Sequence, residues 1–342
     1  MKRLIAEWEE QSFIQLIFPP QKSDWNIYYN DILAYYESLI KVISKYTNVH
    51  LICEDEKLFE KIGKNIKPLI SQLSICKTND TWARDNSVIS VEENRKIKLL
   101  NFSFNAWGKK YPFLLDDEMN ENLANKYLNP MKNINFVLEG GAIDTNGQGI
   151  ILATKNAVLN PNRQANEFKN QEEILKNKYE DLFAKEFGIK KVLWLKNGFL
   201  EGDDTDSHID NLARFIDKNT IAYLKSYNES DTNFVALKKM ESELKNFKNL
   251  DNKPFDLLPL PQTSPKYFEG KKLPCSYLNF LFLNNALIVP IYDKKYDRIM
   301  LKLLQDKLKN IQIIGINSLI PLRQGGSLHC LSMQFPKGVK IK

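Results

Sequence analysis

Ten consecutive residues, Gly202-Asp203-Asp204-Thr205-Asp206-Ser207-His208-Ile209-Asp210-Asn211, hold four aspartates and one of the three histidines in a chain of 342 residues. An apolar core does not tolerate such a run unless every charge is paired. In extended chain, residues i and i+2 share a face. His208 and Asp210 are therefore expected to point into one cavity, a proton carrier beside an anion.

Cys330 is the candidate nucleophile. Gly325 and Gly326 lie just before it, and glycine lets backbone approach a ligand closely; Gly326 is counted among the substrate-binding residues. His329 is adjacent, but consecutive side chains of an extended segment face opposite ways. It is expected to make a structural hydrogen bond, which leaves His208 as the acid/base. Cys53, Cys76 and Cys275 have strand-like or apolar neighbours and read as buried structural thiols.

Two further carboxylates sit in polar knots. Asp85 lies in Asn79-Asp80-Thr81-Trp82-Ala83-Arg84-Asp85-Asn86-Ser87, and Glu139 ends an apolar strand before Gly140-Gly141. A guanidinium is a planar fork of donors that a carboxylate matches with two parallel hydrogen bonds. Asp85 and Asp210 on opposite sides of such a cation would fix its central carbon before a thiolate, and positioning of this kind lowers a barrier by several kcal/mol. The cation would also favour the ionised thiol. Alternatively Asp85 pairs with Arg84. Trp82 either stacks on the flat cation or packs in the core. The aspartates match no standard calcium loop, which needs glycine sixth and glutamate twelfth, and three histidines are few for zinc. No metal is expected.

These knots need elements to hold them. Apolar spacing predicts a strand from Ser12 to Pro19, a helix from Asn26 to Tyr46, and strands at Val49 to Cys53 and Leu73 to Lys77. Paired strands follow at Val88 to Val91 and Lys98 to Phe104. Asn146-Gly147 marks a hairpin turn before a strand at Ile150 to Thr154. Helices are expected from Asp116 to Leu128, Asn166 to Gly188, Asp231 to Phe247 and Lys294 to Leu308. Asn252 to Leu273, with four prolines, reads as the largest irregular connection. Strands are expected at Tyr277 to Leu283 and Ala286 to Tyr292. The rhythm is that of an α/β architecture in one catalytic domain, 1–342.

The bulk numbers exclude several classes. Hydrophobic residues make up 43% and charged residues 26%, an ordinary globular balance. The formal charge of +6 is scattered, not massed in the stripe a nucleic-acid binder wants. No run approaches a membrane span, and Glu7, Glu9 and Glu10 interrupt any export signal. A cytoplasmic chain with free thiols is expected.

Four segments in this order resemble the signatures of the agmatine deiminase and bacterial peptidylarginine deiminase family. They are Thr81-Trp82-Ala83-Arg84-Asp85, Leu138-Glu139-Gly140-Gly141, Asp204 to Asp210, and Gly325-Gly326-Ser327-Leu328-His329-Cys330; Ala6-Glu7-Trp8 and Phe18-Pro19 resemble its opening. The resemblance implies a five-bladed α/β propeller of the pentein type. It implies Cys330 as nucleophile, His208 as general acid/base, Asp85 and Asp210 as guanidinium ligands, Glu139 as an acidic residue of the site and Trp82 as part of its lining. It also implies a covalent thiouronium and no cofactor. Ser207 stands where the family often has glycine, and Asn86-Ser87-Val88 replaces its usual Gly-Pro. Asp204 matches a position suited to a distal ammonium, so agmatine, a step of putrescine and polyamine biosynthesis, is the expected substrate. Peptidylarginine or arginine deiminase and amidinotransferase are the alternatives. A homo-oligomer remains open.

Overall fold

The computed structural model describes residues 2–342. It is built on five mixed sheets of three or four strands and one small hairpin, Tyr267–Phe268 with Lys271–Lys272. In each of the five, a short strand pairs antiparallel with a longer one. The chain then crosses through a helix and returns parallel to the longer strand.

The unit is plainest in the middle of the chain. Ile143–Thr145 pairs antiparallel with Ile150–Thr154, helix Glu172–Leu182 follows, and Lys191–Leu195 returns parallel. Ala213–Phe215, Thr220–Lys225, helix Phe234–Asn246 and Asp256–Pro261 repeat the order. So do Leu281–Leu283, Ala286–Ile291, helix Lys294–Lys307 and Gln312–Asn317. The sheet of Ile89–Glu93, Lys96–Ser103 and Met131–Val137 adds Lys2–Leu4 at its edge. In the remaining sheet, Gln11–Ile17, Asn48–Cys53 and Gln72–Ile75 run parallel, and the short antiparallel strand comes from the other end of the chain, Ser332–Pro336.

Local sequence accounts for these elements. Strands covered on both faces read as continuous apolar runs, and Ile150–Thr154 is buried throughout. Helix Tyr29–Ile43 turns Ile32, Tyr36, Leu39, Ile40 and Ile43 toward Ile14, Leu16, Val49 and Leu51, the 3.6-residue stripe of a half-covered helix. No helix among the described residues is long and apolar enough to cross a membrane.

Some expectations are corrected. The proline-rich stretch from Asn252 contains a strand, Asp256–Pro261. It lies at a sheet edge, where a missing N–H leaves no ladder bond unmade. The helix expected from Asn166 begins only at Glu172, because Asn166 and Asn170 adopt positive φ, which a helix cannot accommodate. The helix expected to Leu128 ends at Asn122. The strand expected from Tyr277 starts at Leu281, which leaves the preceding residues free for a different task.

Candidate active site

The chemistry-bearing residues share one position in the fold: each lies just before the short strand of a sheet. Asp85 precedes Ile89–Glu93, and Glu139, Gly140 and Gly141 precede Ile143–Thr145. His208 and Asp210 precede Ala213–Phe215, and Cys330 precedes Ser332–Pro336. The fifth sheet contributes Asn279, just before Leu281–Leu283. Sequence reasoning missed Asn279, because it was read as part of a strand; its place before the short strand is the signal that finds it.

These segments meet around Gly141. A Cβ there would stand 2.8 Å from both Asp85 Oδ1 and His208 Nδ1 and 3.1 Å from Asp210 Oδ2. Asp85, His208, Asp210 and Cys330 are each no more than 5% exposed. His208 and Asp210 converge as expected, but not as strand neighbours: Ile209–Asn211 is a short 3-10 turn. Ser207, at the position noted above, has φ +73° and Asp206 φ +65°, the left-handed region that glycine enters without strain.

Cys330 Sγ is 3.1 Å from Asn279 Nδ2 and 3.5 Å from Asp210 Oδ2. Burial, reinforced by the charges of Asp210 and Asp85, pushes the Cys330 thiol up. Asp85 accepts from the Gly141 N–H at 2.9 Å and from the Trp107 indole N–H at 3.0 Å. Burial pushes its carboxyl up, with His208 opposing. Burial also acts upward on Asp210, but the hydrogen bond and charge of His329 outweigh it and hold that carboxylate low. His329 reaches Asp210 Oδ2 through Nδ1 at 2.8 Å. Both ring nitrogens of His208 and Asp210 Oδ1 have no hydrogen-bond partner although buried. Such orphaned polar atoms are costly; of them, His208 Nδ1 lies 3.7 Å from Asp85 Oδ1, beside Gly141.

Asp85 and Cys330 also line a pocket with about 420 Å³ of empty space, together with Trp82, Trp107, Tyr111, Asp204 and Gly326 among others. Trp82 lies against Gly326, where any side chain would collide with its ring. Trp107 belongs to a run of left-handed residues, Ala106 to Lys109, in a loop that lines the pocket. Tyr111 donates to Asp204 Oδ2 at 2.6 Å, and Lys110 pairs with Asp206 at 2.9 Å.

Glu139 is placed differently from the other acids. Its carboxylate accepts from Arg163 Nε at 2.6 Å. Arg163, buried and unflagged by any local motif, also donates to the Trp107 and Thr205 carbonyls and to Asp206. It ties the Trp107 loop, the aspartate-rich loop and the glutamate strand end together. Replacing Arg163 with methionine leaves Glu139 charged and alone, so unfolding should become about 3–5 kcal/mol easier. Urea denaturation checks this; a loss under about 1 kcal/mol would show the pair to be dispensable. Arg84 does not pair with Asp85. It bonds Glu7 and Gln334 instead. His50 is buried on Ser74.

A buried thiol beside a carboxylate, with an imidazole and a second carboxylate around Gly141, sits on this repeated α/β frame, and the relatives put the chain in a class: hydrolases acting on the C–N bonds of a linear amidine. The chain belongs to the Porphyromonas-type peptidyl-arginine deiminase family, whose profile matches residues 3–336. It is similar to a cysteine-to-serine variant of C. jejuni agmatine deiminase solved with substrate bound. That likeness is 43% identity over 99% of this chain and 97% of the other, with a TM-score of 0.91. A curated relative from Legionella pneumophila, provisionally named an agmatine deiminase, is 28% identical over 98% of this chain and 95% of its own length. The agmatine deiminase of Enterococcus faecalis is 24% identical over 98% and 96%, with a TM-score of 0.84, and adds likeness of fold alone.

Proposed function

We propose that this protein is an agmatine deiminase, converting agmatine and water to N-carbamoylputrescine and ammonia. The observation that carries the reading is the gathering of Asp85, His208 and Asp210 around Gly141, with the Cys330 sulfur 3.5 Å from Asp210 Oδ2 and buried atoms of His208 and Asp210 left without a hydrogen-bond partner. A guanidinium supplies the donors that the carboxylates lack. The 43% identity to a substrate-bound agmatine deiminase supports the choice of substrate.

In this mechanism Asp85 and Asp210 bracket the guanidinium. The cation stabilises the thiolate that burial otherwise opposes. Cys330 sulfur attacks the central carbon, a C–S bond forms, and a C–N bond breaks as His208 gives a proton to the departing ammonia. His208 then takes a proton from water, whose oxygen attacks the thiouronium carbon. The C–S bond breaks and the thiolate returns. Trp82 and Gly326 line the cation's path. Asp204 receives the distal ammonium. Glu139, gripped by Arg163, stabilises the site's frame and not the cation itself. The five sheets act as the blades of one propeller in a single catalytic domain, 1–342. Cytoplasmic polyamine synthesis is the setting of the same reading.

Side-by-side assays with agmatine, free arginine and an arginyl peptide test this. Agmatine should be turned over with the highest kcat/KM; preference for the peptide would overturn the assignment. Added amine should leave the ureido product unchanged, since amidino transfer would give a new guanidine. Gly141→Ala tests the crowding at this position. Its methyl would displace Asp85 or His208, and kcat/KM for agmatine should fall about 100-fold, as small misplacements of reacting groups do. Retention of activity within about threefold would show that this position has slack.

A further inference from the structure

We infer that Glu7, on the segment between the first edge strand and the first long strand, is a positioning residue that acts on the nucleophile through His329. The inference rests on Cys330 being the nucleophile, and it concerns a residue that does not line the Cys330 pocket. Glu7, Arg84 and Gly140 border a second cavity, which shares no lining residue with that pocket.

The connection is continuous. Glu7 Oε1 lies 2.9 Å and Oε2 3.1 Å from His329 Nε2. The opposite nitrogen of that ring, Nδ1, meets Asp210 Oδ2, and the same oxygen is 3.5 Å from Cys330 Sγ. A carboxylate accepts and never donates. An imidazole held between two carboxylates must therefore donate from both nitrogens, the form in which the ring carries a positive charge. With Oδ2 taken by His329, Asp210 keeps its unpartnered Oδ1 for a ligand. Glu7 is itself fixed by Arg84 at 3.1 Å and by Arg214, which Asp144 holds at 2.6 Å. The remaining polar groups around the sulfur are Asp85, Asn279, Ser327 and Tyr292.

The sign follows from position. Loss of the Glu7 carboxylate removes the acceptor that anchors His329 Nε2 and loosens the hold of His329 Nδ1 on Asp210. Asp210 then faces the sulfur less compensated, and the thiolate becomes harder to form. In Glu7→Gln, kcat for agmatine should fall about tenfold or more with KM changed less than about threefold. In a His329→Asn background, Glu7→Gln should lower kcat by less than about twofold further, because the path is already cut.

Carboxamidomethylation of Cys330 by iodoacetamide, followed by the mass of its peptide in protein without agmatine, is the deciding measurement. Its pH midpoint should rise by about half a unit or more in Glu7→Gln, which is about threefold slower alkylation below the midpoint. A lowered melting temperature with an unmoved or lowered midpoint would make Glu7 only a clamp on Arg84 and Arg214 and would overturn the proposal. Glu7→Asp, which keeps the charge, should recover at least half of the midpoint shift; no recovery would overturn it too. Failure of the unaltered protein to use agmatine would count against the substrate reading, while the alkylation midpoints would still decide the role of Glu7.

Discussion

Cys330→Ser should abolish turnover of agmatine, by about ten-thousandfold or more, while agmatine still binds. A hydroxyl at this position cannot be ionised by a nearby cation as a thiol can, and removing a nucleophile typically costs several decades in kcat. Ten-thousandfold corresponds to about 5–6 kcal/mol of barrier. The groups that would hold the cation are untouched by the change. Asp85 keeps its bonds from Gly141 and Trp107, and Asp210 keeps His329. Steady-state assays should therefore show no activity above background, and calorimetric titration with agmatine should show binding. Residual turnover within a hundredfold of the unaltered protein would remove Cys330 from the chemistry. Mass spectrometry of the unaltered protein quenched during turnover should find the thiouronium on the Cys330 peptide.

Asp210→Asn should lower kcat/KM about a thousandfold, near 4 kcal/mol. The size follows from the amide's geometry. Asp210 Oδ2 faces donors on His329 and Asn279, and Oδ1 has no hydrogen-bond partner. An asparagine must turn its NH2 one way or the other. Turned inward it meets His329 donor to donor; turned outward it meets the guanidinium donor to donor. Breaking one member of a buried hydrogen-bonded charge pair costs about 2–5 kcal/mol. The loss should appear as a raised KM together with a lowered kcat, since the carboxylate would hold the cation before and during attack. If kcat/KM stayed within about threefold, Asp210 would not be a guanidinium ligand.

The carboxylates around the sulfur oppose its ionisation in the resting site. Burial and the charges of Asp210 and Asp85 push the thiol up. In the proposed mechanism a cation placed between them reverses that balance, which would tie reactivity to the arrival of a substrate with the right charge. Trp107 donates to Asp85, and Tyr111 donates to Asp204, so two acids lining the pocket are both held from one loop.

The sequence by itself determined which residue types were present and in what local company. Cys330 behind two glycines, His208 beside Asp210, and Asp85 after Trp82 could be picked out because ionisable residues among strands and small residues are out of keeping with a core. The repeated order of strands and helices was legible for the same local reason, apolar spacing. Tertiary structure alone decided what meets what. Arg163 with Glu139, Glu7 with His329, and Asn279 with Cys330 are separated by 24, 322 and 51 residues. Nothing in the residues next to each partner announces the other. Each partnership exists because a sheet places its segment beside the others, as when Ser332–Pro336 returns to Gln11–Ile17. Strand pairing is a long-range choice among backbones that offer the same donors and acceptors, and it leaves no mark on local sequence.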